Sequence, residues 1–370
     1  MLEVADVFRC FAEDYVSRYG AKLLPSHRRA IQDISACRTQ ALGGHMYQCD
    51  HCGHALFAWH SCKNRSCPKC HAEQTRLWLE QRQAQMLPVP YFHIIATVPE
   101  ELRAACRANQ RELYALLMRA SAEAVLELAR DKRYCGGQVG ILAVLHTWTQ
   151  QLHYHPHVHC LVTGGGLADA GALWLPTRKA FFVPVKALSR LIRGKFRAGL
   201  KERCPDLAVP PLLWRHEWVV HCVPWSTGAK GVLDYLARYA FRIAVANCRL
   251  TALDDQGVTF SYKDRSRSQW RTCRLSGEEF MRRFLQHVLP RNFHKIRYFG
   301  LWHPAHRAQL ERVRVALQLA PGTSALQPAL QKTVAEHPQG KVYDGARCPC
   351  CAQGHLRQVC ECPRPRARDP

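Results

Sequence analysis

The stretch that decides the fold runs VGILAVLHTW (residues 139–148), TQQL, then HYHPHVHCLVTGGG (153–166). The first run is rich in Val, Ile and Leu and reads as a strand. The segment 157-HVHCLVTG-164 reads as another, ended by Gly164, Gly165 and Gly166. Pro156 has no N–H to give a ladder, so the second strand is expected to begin just after it. Alternation then sends His157 and His159 to one side of the sheet, and Val158 and Cys160 to the other. Two imidazoles on one face chelate a divalent ion only with the help of a third group. Gln150, seven residues before His157 on the outgoing strand, reaches that position if the strands pair as a hairpin. His153 and His155, in the short turn nearby, compete for the same role. Two other readings stand beside the metal: a metal-free proton-transfer pair, and two packing or surface histidines in a chain with 20 of them.

Outward from this hairpin, residues 1–40 read as helical, with Val4, Val7, Phe8, Phe11 and Tyr15 forming one face. The segment 91-YFHIIATV-98 is strand-like and Glu100 to Ala129 is a long helical stretch. A basic helix follows around 186–200, then a strand at 215-RHEWVVHCV-223 and a helix at 230-KGVLDYLARYAFRIAVAN-247. Strands mixed with helices around a core of roughly 88–250 give an α/β or α+β class, of which α+β is taken here. The chain divides into an N-terminal helical and zinc-binding part (1–88), the core (89–250), a basic helical extension (251–320) and a cysteine-rich tail (321–370). No internal repeat is present.

Charge narrows the partners. Lys and Arg number 52 against 29 Asp and Glu, a formal +23, with local enrichments such as 263-KDRSRSQWRTCR-274. Such a balance favours a polyanion, nucleic acid first. No apolar run is long enough for a membrane span, and Glu3 and Asp6 stand where a basic leader would, so a cytoplasmic location is expected.

The 19 cysteines cluster, five between 49 and 70 and five between 348 and 362. In 49-CDHCGHALFAWHSCKNRSCPKCH-71, two Cys-x2-Cys knuckles flank a fourteen-residue loop. Cys49, Cys52, Cys67 and Cys70 are the expected zinc tetrad, with Cys62, His60, His54 and His71 as replacements or ligands of a second ion. Lys63, Arg65 and Lys69 sit among them and suit a DNA-gripping module. At the other end, Cys348, Cys351, Cys360 and Cys362 form a less regular set for a second zinc, with Cys350 and His355 spare.

The helix at 230–247 carries a second chemical signal. Tyr235 and Tyr239 are four apart and stack on one side, with Arg238, Arg242 and Lys230 nearby. Packing explains two such tyrosines by themselves. Beside a metal-polarised phosphodiester they become nucleophiles.

Together, HPHVHCLVTGGG (155–166), DYLARYAFRIAVANCRL (234–250) and EEFMRRFLQHVLPRNFHKIRYFGL (278–301) resemble the IS91-type transposases, members of the HUH single-strand endonuclease class. His157-Val158-His159 fits the pattern that names the class, and the N-terminal cysteines match the zinc-binding domain such transposases carry. The resemblance spans roughly 10–302. It implies a central antiparallel sheet with packed helices, preceded by the zinc module. It implies Mg²⁺ or Mn²⁺ on His157, His159 and a third ligand, with Gln150 fitting on spacing. It also implies attack by Tyr235 or Tyr239 on the scissile phosphate and single-stranded, hairpin-containing transposon ends as substrate, with Lys230, Arg238 and Arg242 contacting DNA phosphates. The sequence holds no Gly-x4-Gly-Lys-Ser/Thr loop, so strand opening falls to supercoiling or host replication proteins. A replication initiator or relaxase would share this chemistry. A zinc-dependent DNA-binding regulator would use the tyrosines only for packing.

Overall fold

The structure, a computed structural model, describes residues 2–83, 85–168, 173–178, 180–225, 231, 244–264, 267–319 and 343–365. In chain order its helices are α1 (Val4–Tyr19), α2 (Pro25–Ser35), α3 (His71–Gln83), α4 (Arg103–Ala108), α5 (Gln110–Arg130), α6 (Val185–Arg203), α7 (Gly277–Leu285) and α8 (Arg307–Leu319). The strands are β1 (Gly44–Cys49), β2 (Ala55–Trp59), β3 (Tyr91–Thr97), β4 (Gln138–Trp148), β5 (Tyr154–Leu167) and β6 (Trp174–Pro176). They continue with β7 (Val220–Trp225), β8 (Leu250–Leu253), β9 (Gly257–Asp264), β10 (Gln269–Ser276), β11 (Ile296–Gly300) and β12 (Leu356–Cys362). This is a mixed α+β fold with a zinc-binding module near its N-terminus.

The central sheet has the antiparallel order β11-β4-β5-β3-β7, with β6 added along β5. Its two faces differ in kind. Val158, Cys160 and Val162 of β5 face α5 together with Phe92, Ile94 and Ala96 of β3 and Ile141, Ala143 and Leu145 of β4. From α5 they meet Leu113, Leu117, Ala120 and Ala124, whose spacing is one stripe of a helix. Each fully buried Leu or Val there contributes about 1.5–3 kcal/mol of transfer free energy, so the face is rigid without help from any ion. The opposite face holds Tyr91, Leu142, Val144 and Leu161, packed by Trp78, Trp225, Tyr298 and Trp302. Alternation places His93, His146, His157 and His159 on that second face.

Several sequence expectations shift. Pro156 lies inside β5, not before it, because a bulge in β4 between His146 and Trp148 relieves the ladder where the missing N–H would be used. Gly164–Gly166 do not end that strand, which runs to Leu167. Gly165 instead makes room for the Trp174 indole, which a Cβ there would meet at 2.6 Å. The N-terminal helical stretch is two helices, the second started by Pro25 at its first position. The long helix after Glu100 breaks at Asn109 into α4 and α5. The strand expected at 215–223 forms later, as β7.

The stretch 251–320, expected as a helical extension, holds β8 to β11 as well as α7 and α8. β11 joins the central sheet, whereas β10-β9-β8 form a separate sheet. That sheet shares a core with α1, α2 and α7, including Phe8, Ile31, Phe260, Phe280 and Phe284. Leu152, at the tip of the β4–β5 hairpin, is buried in the same core and takes φ 64°. The hairpin is therefore clamped at its base by α5 and at its tip by this second body. The third sheet, β12-β1-β2, joins the two ends of the chain. No helix among the described residues is long and apolar enough to cross a membrane.

Candidate active site

β5 sits in the middle of the central sheet, hydrogen-bonded on both sides, which gives its side chains little freedom to move. The register sets His146 of β4 directly opposite His157. One imidazole nitrogen from each of His146, His157 and His159 lies within 4.8 Å of the others. His146 and His159 are buried, and His157 is partly exposed. The cluster thus has a closed floor and one open side, as a site that must admit a ligand requires.

Neighbouring groups set how the rings point. The Nδ1–H of His157 donates to the His155 carbonyl at 2.7 Å, which turns its Nε2 lone pair outward. His159 Nδ1 lies 2.8 Å from His93 Nε2, and the two rings stack with centroids 5.1 Å apart and planes 6° from parallel. For His159 to offer Nε2 to an ion, its Nδ1–H must donate to His93, which is the usual outer support of a metal-bound imidazole. Trp148 stacks on His146 at 4.9 Å, and Trp225 meets the edge of His93 at 5.4 Å. Burial, then the nearby Arg103 guanidinium, pushes His155 below its ordinary pKa; Arg103 Nη2 lies 3.2 Å from its Nδ1. Burial, then Arg283, does the same for His153.

Gln150 was expected on the outgoing strand, which ends at Trp148. It lies in the turn beyond Trp148, and its backbone carbonyl accepts from Arg249 Nη2 at 2.6 Å, while Arg283 holds the Gln151 carbonyl at 3.0 Å. His146 stands opposite His157 instead. Counting back from the turn along VGILAVLHTW would have found it, and the strand at 91–98 offers His93 by the same period. The tyrosine-helix residues Lys230, Tyr235, Arg238, Tyr239 and Arg242 lie outside the described residues. By Ala244, at φ 55°, the chain has left any helix, short of the expected end at 247.

The expected cysteine tetrad splits. Cys67 and Cys70 gather with Cys62 and with Cys37, from just after α2. Sulfur separations in this group include 3.5 Å (Cys37–Cys70), 3.6 Å (Cys62–Cys70) and 3.7 Å (Cys37–Cys67). Four thiolates about 2.3 Å from one zinc would be about 3.8 Å apart, so the donors fit. Bonding with Cys37 raises the Cys62 and Cys67 thiols and lowers that of Cys70. Cys37 was missed because it belongs to no knuckle. Cys49 and Cys52 lie in a different group, and Cys360 and Cys362 are in neither, since they sit on β12 and pair across from Met46 and Gly44. Lys69 pairs with Glu3, and Arg65 binds the carbonyls of Leu289, Pro290 and Phe293. Those contacts give the two cations structural duties.

Comparison with known proteins agrees with this layout. Residues 7–98 match the family described as "Transposase zinc-binding domain", and residues 140–309 match that described as "Putative transposase". The chain is 39% identical over 376 residues to "Putative transposase y4qJ" of Sinorhizobium fredii (strain NBRC 101917 / NGR234), covering 96% of this chain and 94% of that protein. It is 30% identical over 294 residues to "Transposase for insertion sequence element IS801" of Pseudomonas savastanoi pv. phaseolicola, covering 73% of this chain and 68% of that one. No solved structure matches it.

Proposed function

This chain belongs to the IS91/Y2 transposase family, and from that premise we propose that it cuts and rejoins single-stranded transposon ends through a tyrosine-linked intermediate. It is an enzyme, a transposase with the single-strand nicking chemistry of the His-x-His nucleases. The observation that carries the finer reading is the convergence of His146, His157 and His159 on one partly open face of the sheet.

Those three imidazoles would hold Mg²⁺ or Mn²⁺, which when bound polarises the nonbridging oxygens of the scissile phosphate. Three nitrogens suit Mn²⁺ better than the oxygen-seeking Mg²⁺. The chain's own groups do the rest. The His155 carbonyl and His93 fix the orientation of two of the rings, His157 and His159. Arg103, held beside His155, adds positive charge at the rim.

Tyr235 or Tyr239 supplies the nucleophile. Its phenolic oxygen bonds to phosphorus as the P–O3′ bond breaks, leaving a 5′-phosphotyrosine and a free 3′-OH. The other tyrosine permits a second cleavage while the first link persists, and attack by a 3′-OH on the linkage rejoins strands. Lys230, Arg238 and Arg242 neutralise neighbouring phosphates, which makes binding salt-sensitive. In support, the chain leaves β7 at Trp225, whose ring is 5.4 Å from that of His93. Ten residues then span at most about 33–36 Å, ample to return Tyr235 to the histidines. The substrate ends would be hairpin-containing, with host replication proteins opening the duplex.

The test is incubation with single-stranded end DNA and Mn²⁺, followed by denaturing electrophoresis and mass spectrometry of any adduct. A tyrosine-linked product lost in Y235F/Y239F supports the reading. Tight binding with no adduct for any end leaves only a DNA binder.

A further inference from the structure

We propose that the chain holds a second structural zinc, bound by Cys49, Cys52, Cys348 and Cys351, which welds its two ends into one zinc ribbon. This goes beyond the nuclease reading and does not depend on it. Neither matched region reaches residue 348, so half of this site lies outside both.

Four independent observations meet here. First, the four sulfurs cluster within 4.8 Å, with Cys49–Cys351 and Cys52–Cys348 each at 3.7 Å, the spacing of thiolates around one zinc and far beyond a disulfide bond. Second, the two halves are built alike. In each Cys-x2-Cys turn, a backbone N–H two residues on points at the first sulfur, His51 to Cys49 and Cys350 to Cys348, both at 3.4 Å. The residue after each second cysteine donates to the carbonyl of the first, Gly53 to Cys49 at 3.1 Å and Ala352 to Cys348 at 3.0 Å. Both take left-handed backbone, at φ 70° and φ 56°. Glycine does this freely, but alanine does so at a cost that its surroundings must enforce.

Third, the knuckles ride on paired strands. β12 runs antiparallel to β1, with Cys49 opposite Leu356 and Gly44 opposite Cys362. Asp50 fastens the turns together, its Oδ1 accepting from His355 N at 2.7 Å. Fourth, the apolar core between these strands is too small to hold them. Its fully buried members are Tyr47, Leu356 and the ligands Cys49 and Cys348 themselves. A unit of this size gains its fold from the metal.

The consequence is counterintuitive: the knuckle of Cys49 and Cys52 cannot fill until the chain has reached Cys351. Cysteines near residue 350 should therefore govern metal binding near residue 50.

The full-length zinc-loaded protein provides the test. Zinc content is expected to be two per chain, falling to one in C348S/C351S, to one in C49S/C52S, and to no less than one when all four are changed. The non-additivity identifies one shared site. In the unaltered protein, timed alkylation read by peptide mass spectrometry should spare Cys49, Cys52, Cys348 and Cys351 until a chelator is added, while exposed Cys10 and Cys350 react at once. Two zincs in C348S/C351S would overturn the proposal. So would alkylation of Cys348 and Cys351 at the rate of Cys350, or protection that yields to a reductant and not to a chelator.

Discussion

The histidine face of the central sheet and the cysteine clusters at the chain's ends both gather ligands, yet by opposite means. On the sheet, the scaffold comes first. The α5 face buries a full apolar layer, and β5 is paired on both sides, so His157 and His159 would point the same way with no ion present. In the Cys49/Cys52/Cys348/Cys351 cluster the ligand would come first, because the small core around Tyr47 and Leu356 cannot hold the knuckles unaided. The lesson concerns what a sequence can reveal. Where packing fixes geometry, side-chain period reports it. Where a metal fixes geometry, spacing names the ligands but not their partners.

The largest effect expected from this contrast is on catalysis. His157→Ala should lower the rate of end cleavage at least about a thousandfold, the scale of losing a Lewis acid. Melting temperature and zinc content should stay near wild type, since the face folds without the ion. A large fall in stability would break the comparison.

That contrast also explains which readings survived. The hairpin of 139–148 and 153–166 follows from alternation, and so does the shared side of His157 and His159. Sequence spacing pointed to Gln150 for the third position, whereas strand register, which spacing does not report, sets His146 opposite His157. The grouping of Cys49 and Cys52 with Cys67 and Cys70 failed for a different reason. Every Cys-x2-Cys turn offers two ligands of the same shape, and only tertiary structure says which turns meet. Cys37 carries no local signal at all, being one cysteine after a helix.

Next in size is the inner zinc cluster. Cys37→Ser should remove one of its four thiolates and cost several of the about 10–16 kcal/mol that structural zinc supplies, read as zinc loss and early unfolding of the N-terminal part. Cys10→Ser, at an exposed position, should change neither.

A smaller effect sharpens the sheet side. His93→Phe removes the acceptor for His159 Nδ1, which should weaken Mn²⁺ binding about 10–100-fold. At saturating Mn²⁺ the cleavage rate should recover, and His93→Gln should restore part of the affinity. Loss of rate that no Mn²⁺ concentration repairs would mean His93 acts on the substrate directly.

Smallest at neutral pH, and growing only in acid, is an effect at the joint between the two bodies. His287 accepts from the Thr147 hydroxyl and donates to the Leu152 carbonyl, and is wholly buried. Burial, aided by Arg107, lowers it from 6.5 to about 3. The unfolded chain therefore binds the proton first, so stability is lost as pH falls from about 6.5 toward 3, by up to about 1.4 kcal/mol per pH unit. His287→Gln should remove one proton from that slope in acid-denaturation titrations.

The most direct measurement is pulsed electron paramagnetic resonance on the Mn²⁺-loaded protein, counting coupled imidazole nitrogens. Three histidine ligands are predicted in the wild type, two in His146→Ala, and three in Gln150→Ala. A spectrum unchanged by His146→Ala, or one showing only His157 and His159, would contradict the account.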